Sequence, residues 1–241
     1  MLTSAGSWSA IQMTPTQENI RCIVTDVDGT LTSYDRRISV GAINTLRRIQ
    51  DAGITIILAT GNVLPIAYGL FKMIGLTGAI VAENGGVLYH NQTVEYLNSP
   101  QKPLEAFNFL KSRLDVHRLF TDQWRMTEVA LEPSADTEAV RRLLSGHDVN
   151  VESSGFAIHI QSRNFTKFKA VSRVCHTMGI ALERVAAFGD GENDIEMLKN
   201  CGVGIAVANA PEHVKRVASH VTKSSHGDGF VEGIEWLAIL P

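Results

Sequence analysis

Four aspartates in this sequence are spaced in a way that could support metal-assisted chemistry. Asp26 and Asp28 stand in D-V-D-G-T-L-T at residues 26–32, and Asp190 and Asp194 stand in G-D-G-E-N-D at residues 189–194. Both motifs follow a short apolar run that is typical of a buried strand. Side chains two residues apart on an extended segment point the same way, and open parallel sheets collect their sites at the carboxyl ends of strands. We therefore expect the four carboxylates to face one cleft.

Carboxylates gathered in one cleft repel one another unless a cation lies among them. Oxygen ligands select a hard cation, and Mg²⁺ is the usual one where a phosphate shares the coordination. Thr60, Gly61 and Asn62, in L-A-T-G-N, offer a hydroxyl, backbone N–H groups and an amide for such a phosphate. Lys167 opens a helical stretch and offers a compact positive charge. A single D-x-D pair could be an ordinary acidic turn, so the prediction depends on the two acidic motifs together.

The elements that would position these residues alternate between strands and helices. Short apolar runs predict strands at Cys22–Thr25, Ile54–Ala59, Ala79–Ala82, Val185–Phe188 and Gly204–Val207. Helical spacing predicts helices from an N-cap at Ser39 to a C-terminal cap at Gly53, over Leu64–Ile74, and over Lys167–Met178. This order is typical of a parallel sheet with crossover helices, so the sequence predicts an α/β fold.

The pattern changes between about residue 86 and residue 163. Helical patterns at Pro103–Leu114 and Ala135–Leu144 lie among alternating runs at Trp124–Leu131 and around Ile158. We therefore predict an α+β domain at residues 87–163, inserted into a core made of residues 20–86 and 164–241. Short hinges are expected near Gly85–Gly86 and Arg163–Asn164. Residues 1–19 are polar without periodicity, which predicts a flexible tail.

Composition argues against several classes of protein. The 241 residues carry a formal net charge of -3, and no run of Lys or Arg is long enough to follow a nucleic-acid backbone, so we expect no nucleic-acid partner. No apolar run approaches the roughly 20 residues that a membrane helix needs, and the first residues lack signal-peptide features. We therefore expect a cytoplasmic protein without a membrane partner. Cys22, Cys175 and Cys201 are far apart, which favours core packing over a disulfide or zinc site.

Taken in order, four motifs resemble those of the haloacid dehalogenase superfamily phosphatases. The motifs are D-V-D-G-T-L-T, Thr60 in A-T-G-N, Lys167 in T-K-F-K-A-V, and G-D-G-E-N-D. The runs G-N-V-L-P-I-A-Y at 61–68 and E-N-G-G at 83–86 are similar to the archaeal-type phosphoglycolate phosphatases. The resemblance implies a Rossmann-like core of parallel strands and helices, with the insert as the larger, C2 type of cap domain.

The resemblance also implies a role for each motif residue. Asp26 would be the nucleophile that takes the phosphoryl group, and Asp28 would act first as general acid and then as general base. The implied ligands of Mg²⁺ are Asp26, the backbone carbonyl of Asp28, Asp190 and, directly or through water, Asp194. Thr60 and Lys167 would hold the phosphoryl oxygens. The implied substrate is a small phosphorylated metabolite, with phosphoglycolate as the leading candidate.

Other interpretations stay open at this point. A sugar phosphate would need only different cap residues. A phosphoacceptor signalling module would keep its aspartyl phosphate, and Asp28 and the large insert argue against it. A dinucleotide-binding domain needs G-x-G-x-x-G after its first strand, where this sequence has D-V-D-G-T. In the insert, His159 faces away from Ile158 and Ile160 and could contact substrate. Arg125 could bind a substrate carboxylate, although a solvent-facing strand arginine is the favoured interpretation. The oligomeric state is not predicted.

Overall fold

The computed structural model describes residues 20–154, 156–163 and 165–240. The predicted tail and Asn164 of the second predicted hinge lie outside these residues. The strands of the described part are, in chain order, β1 Cys22–Thr25, β2 Thr55–Ala59, β3 Ala79–Ala82, β4 Val87–His90, β5 Thr93–Tyr96, β6 Val129–Leu131, β7 Val149–Ser153, β8 Ile158–Ser162, β9 Val185–Gly189, β10 Val203–Ala206 and β11 His220–Val221. Its α-helices are α1 Val40–Asp51, α2 Leu64–Ile74, α3 Gln101–Lys111, α4 Thr137–Leu144, α5 Lys167–Thr177, α6 Ile195–Asn200, α7 Glu212–Lys215 and α8 His226–Leu237.

The core is a central sheet with helices on both faces. Its eight strands have the order β11-β10-β9-β1-β2-β3-β4-β5, parallel from β11 to β3 and antiparallel at β4 and β5. Alternate strand residues bury their side chains on opposite faces: Ile23 packs with α1, α2 and α8, whereas Val24 packs with α5, α6 and α7. The predicted α/β fold is confirmed.

A second, smaller unit is inserted between β5 and α5. Its three-stranded antiparallel sheet has the order β6-β8-β7, and α3 and α4 pack against one face of it. Ile158 and Ile160 of β8 lie in that apolar layer. His159 and Gln161, between and after them, are buried on the opposite face, as the alternation predicts. We call residues 97–163 the capping unit.

The boundary of the insert differs from the prediction. The inserted domain was predicted to begin at residue 87, but residues 87–96 form β4 and β5, which extend the central sheet. The reason is the turn Glu83–Gly85, which reverses the chain so that β4 pairs antiparallel with β3. The pair Gly85–Gly86 therefore belongs to a buried turn of the core, not to a hinge.

The predicted strand Trp124–Leu131 is also shorter than expected. Phe120–Trp124 forms a 3₁₀ turn, and the regular strand begins only at Val129. Between them, the backbone N–H groups of Met126 and Thr127 donate to the Glu83 carboxylate instead of to a neighbouring strand. A long-range side-chain contact thus replaces part of the strand.

Other local predictions agree with the structure. Ser39 caps α1 by accepting a hydrogen bond from the Ala42 N–H, and α2 ends at Gly75 in the left-handed conformation. The three cysteines are free and buried. Within the described residues, no helix is both long and apolar enough to cross a membrane.

Candidate active site

Strand register brings the predicted site residues to one edge of the central sheet. Thr25 pairs with Leu58 on one side and with Phe188 on the other. Strands β1, β2 and β9 therefore end level with one another. The residues that follow these ends are Asp26 after β1, Thr60 with Gly61 and Asn62 after β2, and Asp190 after β9.

Three of the four predicted carboxylates form a tight cluster around a lysine. Oxygen atoms of Asp26, Asp190 and Asp194 lie within 4.8 Å of one another. Lys167, in the first turn of α5, donates to Asp26 Oδ1 at 2.5 Å and to Asp194 Oδ1 at 2.8 Å. The other oxygen of Asp194 accepts the backbone N–H groups of Asp190 and Gly191, at 3.0 and 2.9 Å. Asp194 therefore shapes the acidic loop as well as facing the lysine.

Burial and mutual repulsion perturb the acids of this cluster. Burial raises the pKa of Asp26 well above its usual value; Lys167 opposes the rise, and Asp194 adds to it. Burial, with the charge of Asp194, raises the pKa of Asp190 to about 6. Burial alone would lower the pKa of Lys167, but Asp194 and Asp26 outweigh it and raise that pKa above its usual value. The lysine is therefore a permanent cation here.

The cluster fits the expected divalent ion. One ammonium group pairs with the buried carboxylates of Asp26 and Asp194, and the partly buried Asp190 lies beside them. The cluster therefore carries excess negative charge that a hard cation would neutralise. Burial is the main cause of the raised pKa values of Asp26 and Asp190, and the neighbouring carboxylate of Asp194 adds to both. Thr30 Oγ1 and Asn209 Nδ2 donate to the two oxygens of Asp190, at 2.8 and 3.0 Å, and hold its carboxylate in place.

The Asp28 side chain lies apart from the three clustered carboxylates but lines the same cavity. One of its oxygens accepts from Asn62 Nδ2, and the other accepts from Arg36 Nη2 at 3.1 Å. Gly29 follows with a φ of 92°, and a Cβ at this position would overlap the Asp190 carboxylate. Only glycine allows the chain to turn this close to the acidic loop.

The predicted phosphate loop after β2 is partly buried. Thr60 is buried, and its Oγ1 accepts the backbone N–H of Asn62 at 3.0 Å. Gly61 and Asn62 line a cavity of about 550 Å³, whose floor includes Asp26, Asp28, Asp190 and Asp194. The capping unit forms the opposite wall through Arg125, Ser154, Phe156 and His159, among others. All four predicted carboxylates therefore face one cavity, as expected.

Arg125 is not the solvent-facing arginine that the sequence favoured. Its side chain is 2% exposed, it forms an ion pair with Glu128, and its Nη1 donates to the Gly61 carbonyl oxygen at 2.9 Å. His159 Nδ1 lies 3.0 Å from the same Glu128 carboxylate. The favoured interpretation was wrong because periodicity places Arg125 on a strand, whereas the 3₁₀ turn before it directs its side chain to the core.

Several site residues gave little or no signal in the sequence. Glu83 and Asn84 were noted only as part of E-N-G-G, yet Asn84 Nδ2 donates to Glu128 Oε2 and Asn84 Oδ1 accepts from Asn193 Nδ2, at 3.1 and 2.9 Å. Arg36 lies in a polar loop and was missed. For Glu83 and Asn84, the available signal was that E-N-G-G, a polar and glycine-rich turn, directly follows a buried strand.

Comparison with known proteins agrees with this fold and site. The chain matches the family described as haloacid dehalogenase-like hydrolase over residues 23–128 and 129–234. The chain belongs to this family. It is an enzyme of the phosphoric monoester hydrolase class, as the motifs predicted, and the phosphoacceptor and dinucleotide-binding interpretations are set aside.

Individual relatives refine the comparison. A phosphoglycolate phosphatase of Methanothermobacter thermautotrophicus is 38% identical over 215 residues, which cover 89% of this chain and 97% of that protein. The crystal structure of Thermoplasma acidophilum 0175 matches with a TM-score of 0.86 and 27% identity, covering 92% of this chain and 99% of that one. The sugar phosphatase BT4131 matches with a TM-score of 0.76 at 22% identity over 91% of this chain and 100% of its own, a likeness of fold alone.

Proposed function

We propose that this hydrolase is a Mg²⁺-dependent phosphomonoesterase that hydrolyses 2-phosphoglycolate to glycolate and phosphate. The observation that carries the proposal is the cluster of Asp26, Asp190 and Asp194 on the floor of the cavity, with Lys167 bonded to two of them. Relatives named phosphoglycolate phosphatase align over about nine-tenths of this chain, which supports the choice of substrate.

Asp26 is the proposed nucleophile. One of its oxygens attacks phosphorus, an aspartyl phosphate forms, and the bond from phosphorus to the leaving oxygen breaks. Lys167, which already touches Asp26, neutralises charge on the transferred group. The Thr60 hydroxyl, which accepts the Asn62 N–H, donates a hydrogen bond to a phosphoryl oxygen. Bound Mg²⁺, held by Asp26, Asp190, Asp194 and the Asp28 carbonyl, would supply further charge neutralisation.

Asp28 is the proposed proton carrier. Its carboxyl group gives a proton to the leaving oxygen and, in the second half of the reaction, takes a proton from the water that attacks the aspartyl phosphate. Asn62 holds one carboxyl oxygen of Asp28 through a hydrogen bond, which fixes the orientation of the group. The capping unit covers the cavity and would limit the access of other water.

A sugar phosphate is the second candidate substrate. The observation in its favour is the shared fold with a sugar phosphatase, together with a cavity of about 550 Å³, which is within the usual range for small-ligand sites. No nucleic-acid or membrane partner is proposed, and a cytoplasmic location remains part of the proposal.

Phosphate release from a panel of small esters tests the proposal. We expect 2-phosphoglycolate to be the best substrate by kcat/KM, release to stop when a chelator removes Mg²⁺, and Asp26→Asn to lower kcat roughly 10³-fold or more because the nucleophile is lost. Asp51→Asn, on the exposed surface of α1, is the matched control and should keep full activity.

The outcomes separate the candidates. A sugar phosphate with the highest kcat/KM would replace the substrate and keep the chemistry. Undiminished release by the Asp26→Asn protein would refute the proposed nucleophile, and release that is insensitive to chelation would refute the Mg²⁺ requirement.

A further inference from the structure

The cations in and next to the cavity differ in how fully the protein itself neutralises them. Arg125 is ion-paired with Glu128 and has Asp122 3.8 Å from its Nε. Lys167 is held by the carboxylate cluster. Neither side chain is exposed, and both serve carboxylates of this chain. Arg125 lines the cavity, but its Nη1 is already bonded to Glu128 and to the Gly61 carbonyl oxygen.

Arg36 is the accessible arginine of the cavity wall. Its side chain is 49% exposed, and its Nη2 donates to Asp28 Oδ1 at 3.1 Å. Among the described residues, this is the one ion pair that Arg36 makes. A guanidinium has five N–H donors, so Arg36 keeps donors for a ligand.

An aromatic ring of the capping unit holds this guanidinium over the cavity. The Arg36 guanidinium carbon lies 5.0 Å from the centroid of the Phe156 ring, within the range of an attractive cation–π contact. Arg36 comes from the core loop before α1, and Phe156 comes from the loop between β7 and β8. The contact therefore joins the two units at the edge of the cavity.

The backbone of Arg36 is fixed in an unfavourable conformation. Its φ is 63°, in the left-handed region that residues with a Cβ usually avoid. A tight turn holds it there, because the Arg36 N–H donates to the Ser33 carbonyl and the Ser33 N–H donates to the Arg37 carbonyl, at 2.8 and 2.9 Å. Strain of this kind concentrates where a side chain must be held for a function.

We propose that Arg36 binds the negatively charged group of the substrate's leaving alcohol and thereby selects phosphate esters of small hydroxy acids over neutral esters. The inference rests on the proposed phosphatase function and adds the residue that would determine its specificity. Asp28 must approach the leaving oxygen to about 3 Å to transfer a proton. A carboxylate one carbon away from that oxygen is then within reach of a guanidinium that touches Asp28.

The acidic lining of the cavity supports the same role for Arg36. The cavity is lined by Asp26, Asp28, Asp190, Asp194 and Glu192, which repel an anionic leaving group. Arginine can bind a carboxylate through two parallel hydrogen bonds, which lysine cannot reproduce. Arg36 therefore offers both the charge and the geometry that an acidic leaving group requires.

Two esters of equal chain length test the proposal. 2-Phosphoglycolate carries the carboxylate, and 2-hydroxyethyl phosphate has a hydroxyl in its place. We expect Arg36→Gln to lower the ratio of kcat/KM for the first ester to that for the second roughly 10- to 100-fold, because a charge-assisted interaction is lost. Arg36→Lys should keep part of this ratio, since the charge remains and the planar fork is lost.

Arg37→Gln is the matched control. Arg37 is adjacent in sequence, but its side chain is 85% exposed and pairs with Asp35. We expect this variant to keep the ratio within about twofold, as a solvated surface ion pair contributes little. Phe156→Leu should lower the ratio less than Arg36→Gln, because it removes the support and leaves the guanidinium.

Binding provides a readout that is independent of turnover. In an Asp26→Asn background with Mg²⁺, calorimetry should show that Arg36→Gln weakens the binding of 2-phosphoglycolate more than the binding of 2-hydroxyethyl phosphate. If the wild-type protein hydrolyses no ester, the proposed function fails while this difference still supports Arg36. Equal losses for both esters would mean that Arg36 acts only through Asp28, and a wild-type preference for 2-hydroxyethyl phosphate would overturn the proposal as well.

Discussion

One buried lysine lies among the three clustered aspartates of the site. Removing a carboxylate from water is costly unless a partner neutralises it, and Lys167 provides one positive charge for Asp26, Asp190 and Asp194. The hydrogen bonds to Asp190 from Thr30 and Asn209 fix its carboxylate but add no charge. At the scale of residues, the arrangement therefore fits a cation.

This imbalance predicts that Mg²⁺ stabilises the protein itself. At about 100 times its dissociation constant, Mg²⁺ should raise the free energy of unfolding by about 2.7 kcal/mol, because it binds only the folded chain. Asp190→Asn should remove more than half of this gain, since it deletes a ligand and a negative charge. Chemical denaturation with Mg²⁺ and with chelator measures both effects. An Asp190→Asn protein that gains as much as the wild type would contradict the ligand assignment.

At the scale of elements, the turn after β3 joins the sheet to the helix that carries Lys167. Glu83, Asn84 and Gly85 all have positive φ, at 50°, 51° and 103°. Gly85 lies against the backbone of Thr166, the N-cap of α5, and a Cβ there would overlap its carbonyl oxygen. The position of Lys167 thus depends on a close backbone contact between two distant segments.

Two glycine substitutions distinguish the cost of this close backbone contact from the cost of placing a residue with a Cβ at a positive φ. Gly85→Ala should lower the free energy of unfolding by about 3 kcal/mol, because it meets both an unfavourable φ and the Thr166 backbone. Gly53→Ala is the matched control: its φ is 79°, and a Cβ would have no neighbour within 4 Å. That variant should lose about 1 kcal/mol from φ alone. Equal losses in a denaturation series would show that the close contact contributes nothing.

At the scale of the whole molecule, a buried polar network connects the capping unit to the core. Glu128 of the capping unit bonds Asn84 of the core turn, and Arg125 bonds the Gly61 carbonyl in the loop after β2. In the opposite direction, the Glu83 carboxylate accepts the N–H groups of the chain at residues 126 and 127. The relative position of the two units is therefore held by directional bonds beside the site.

Glu128 is the residue of this network whose loss should matter most. Glu128→Gln should lower the free energy of unfolding at neutral pH by about 3 kcal/mol, because it leaves the buried charge of Arg125 without its nearest partner. Glu138→Gln, which breaks an exposed pair with Arg141, is the matched control and should change it by less than about 0.5 kcal/mol. A double-mutant cycle with Arg125→Met would measure the coupling.

The pH dependence of this loss follows from the environment of Glu128. Burial raises the pKa of its carboxyl group, but Arg125 and His159 outweigh burial and lower the pKa below the usual 4.5. A carboxyl with a lowered pKa in the folded state adds stability above its unfolded pKa and loses it as the pH falls through the folded value. The difference in unfolding free energy between wild type and Glu128→Gln should therefore shrink below about pH 4.5. A difference that grows in acid would contradict the ion pair.

Local patterns in the sequence were sufficient to predict the bounds of elements that hold the site. The strand Cys22–Thr25 and the helix Leu64–Ile74 have the predicted bounds, because their apolar spacing and the glycine after the helix are local signals. The two acidic motifs could be placed at one edge because each follows a strand, and the carboxyl ends of parallel strands meet at one edge of the sheet. Belonging to the hydrolase family was also readable from motif order alone.

Tertiary structure decided what the local patterns could not. Whether β4 and β5 join the core sheet or the insert depends on pairing with β3, and strand periodicity carries no information about the partner. Arg125 is buried where it bonds the Gly61 carbonyl of the core, and Glu83 is buried where it accepts the Thr127 N–H of the capping unit. Arg36 reaches the cavity through a left-handed turn that its polar loop does not predict. Sequence periodicity reports which face of an element is apolar, whereas contacts between polar groups far apart in the chain exist only once the units are packed together.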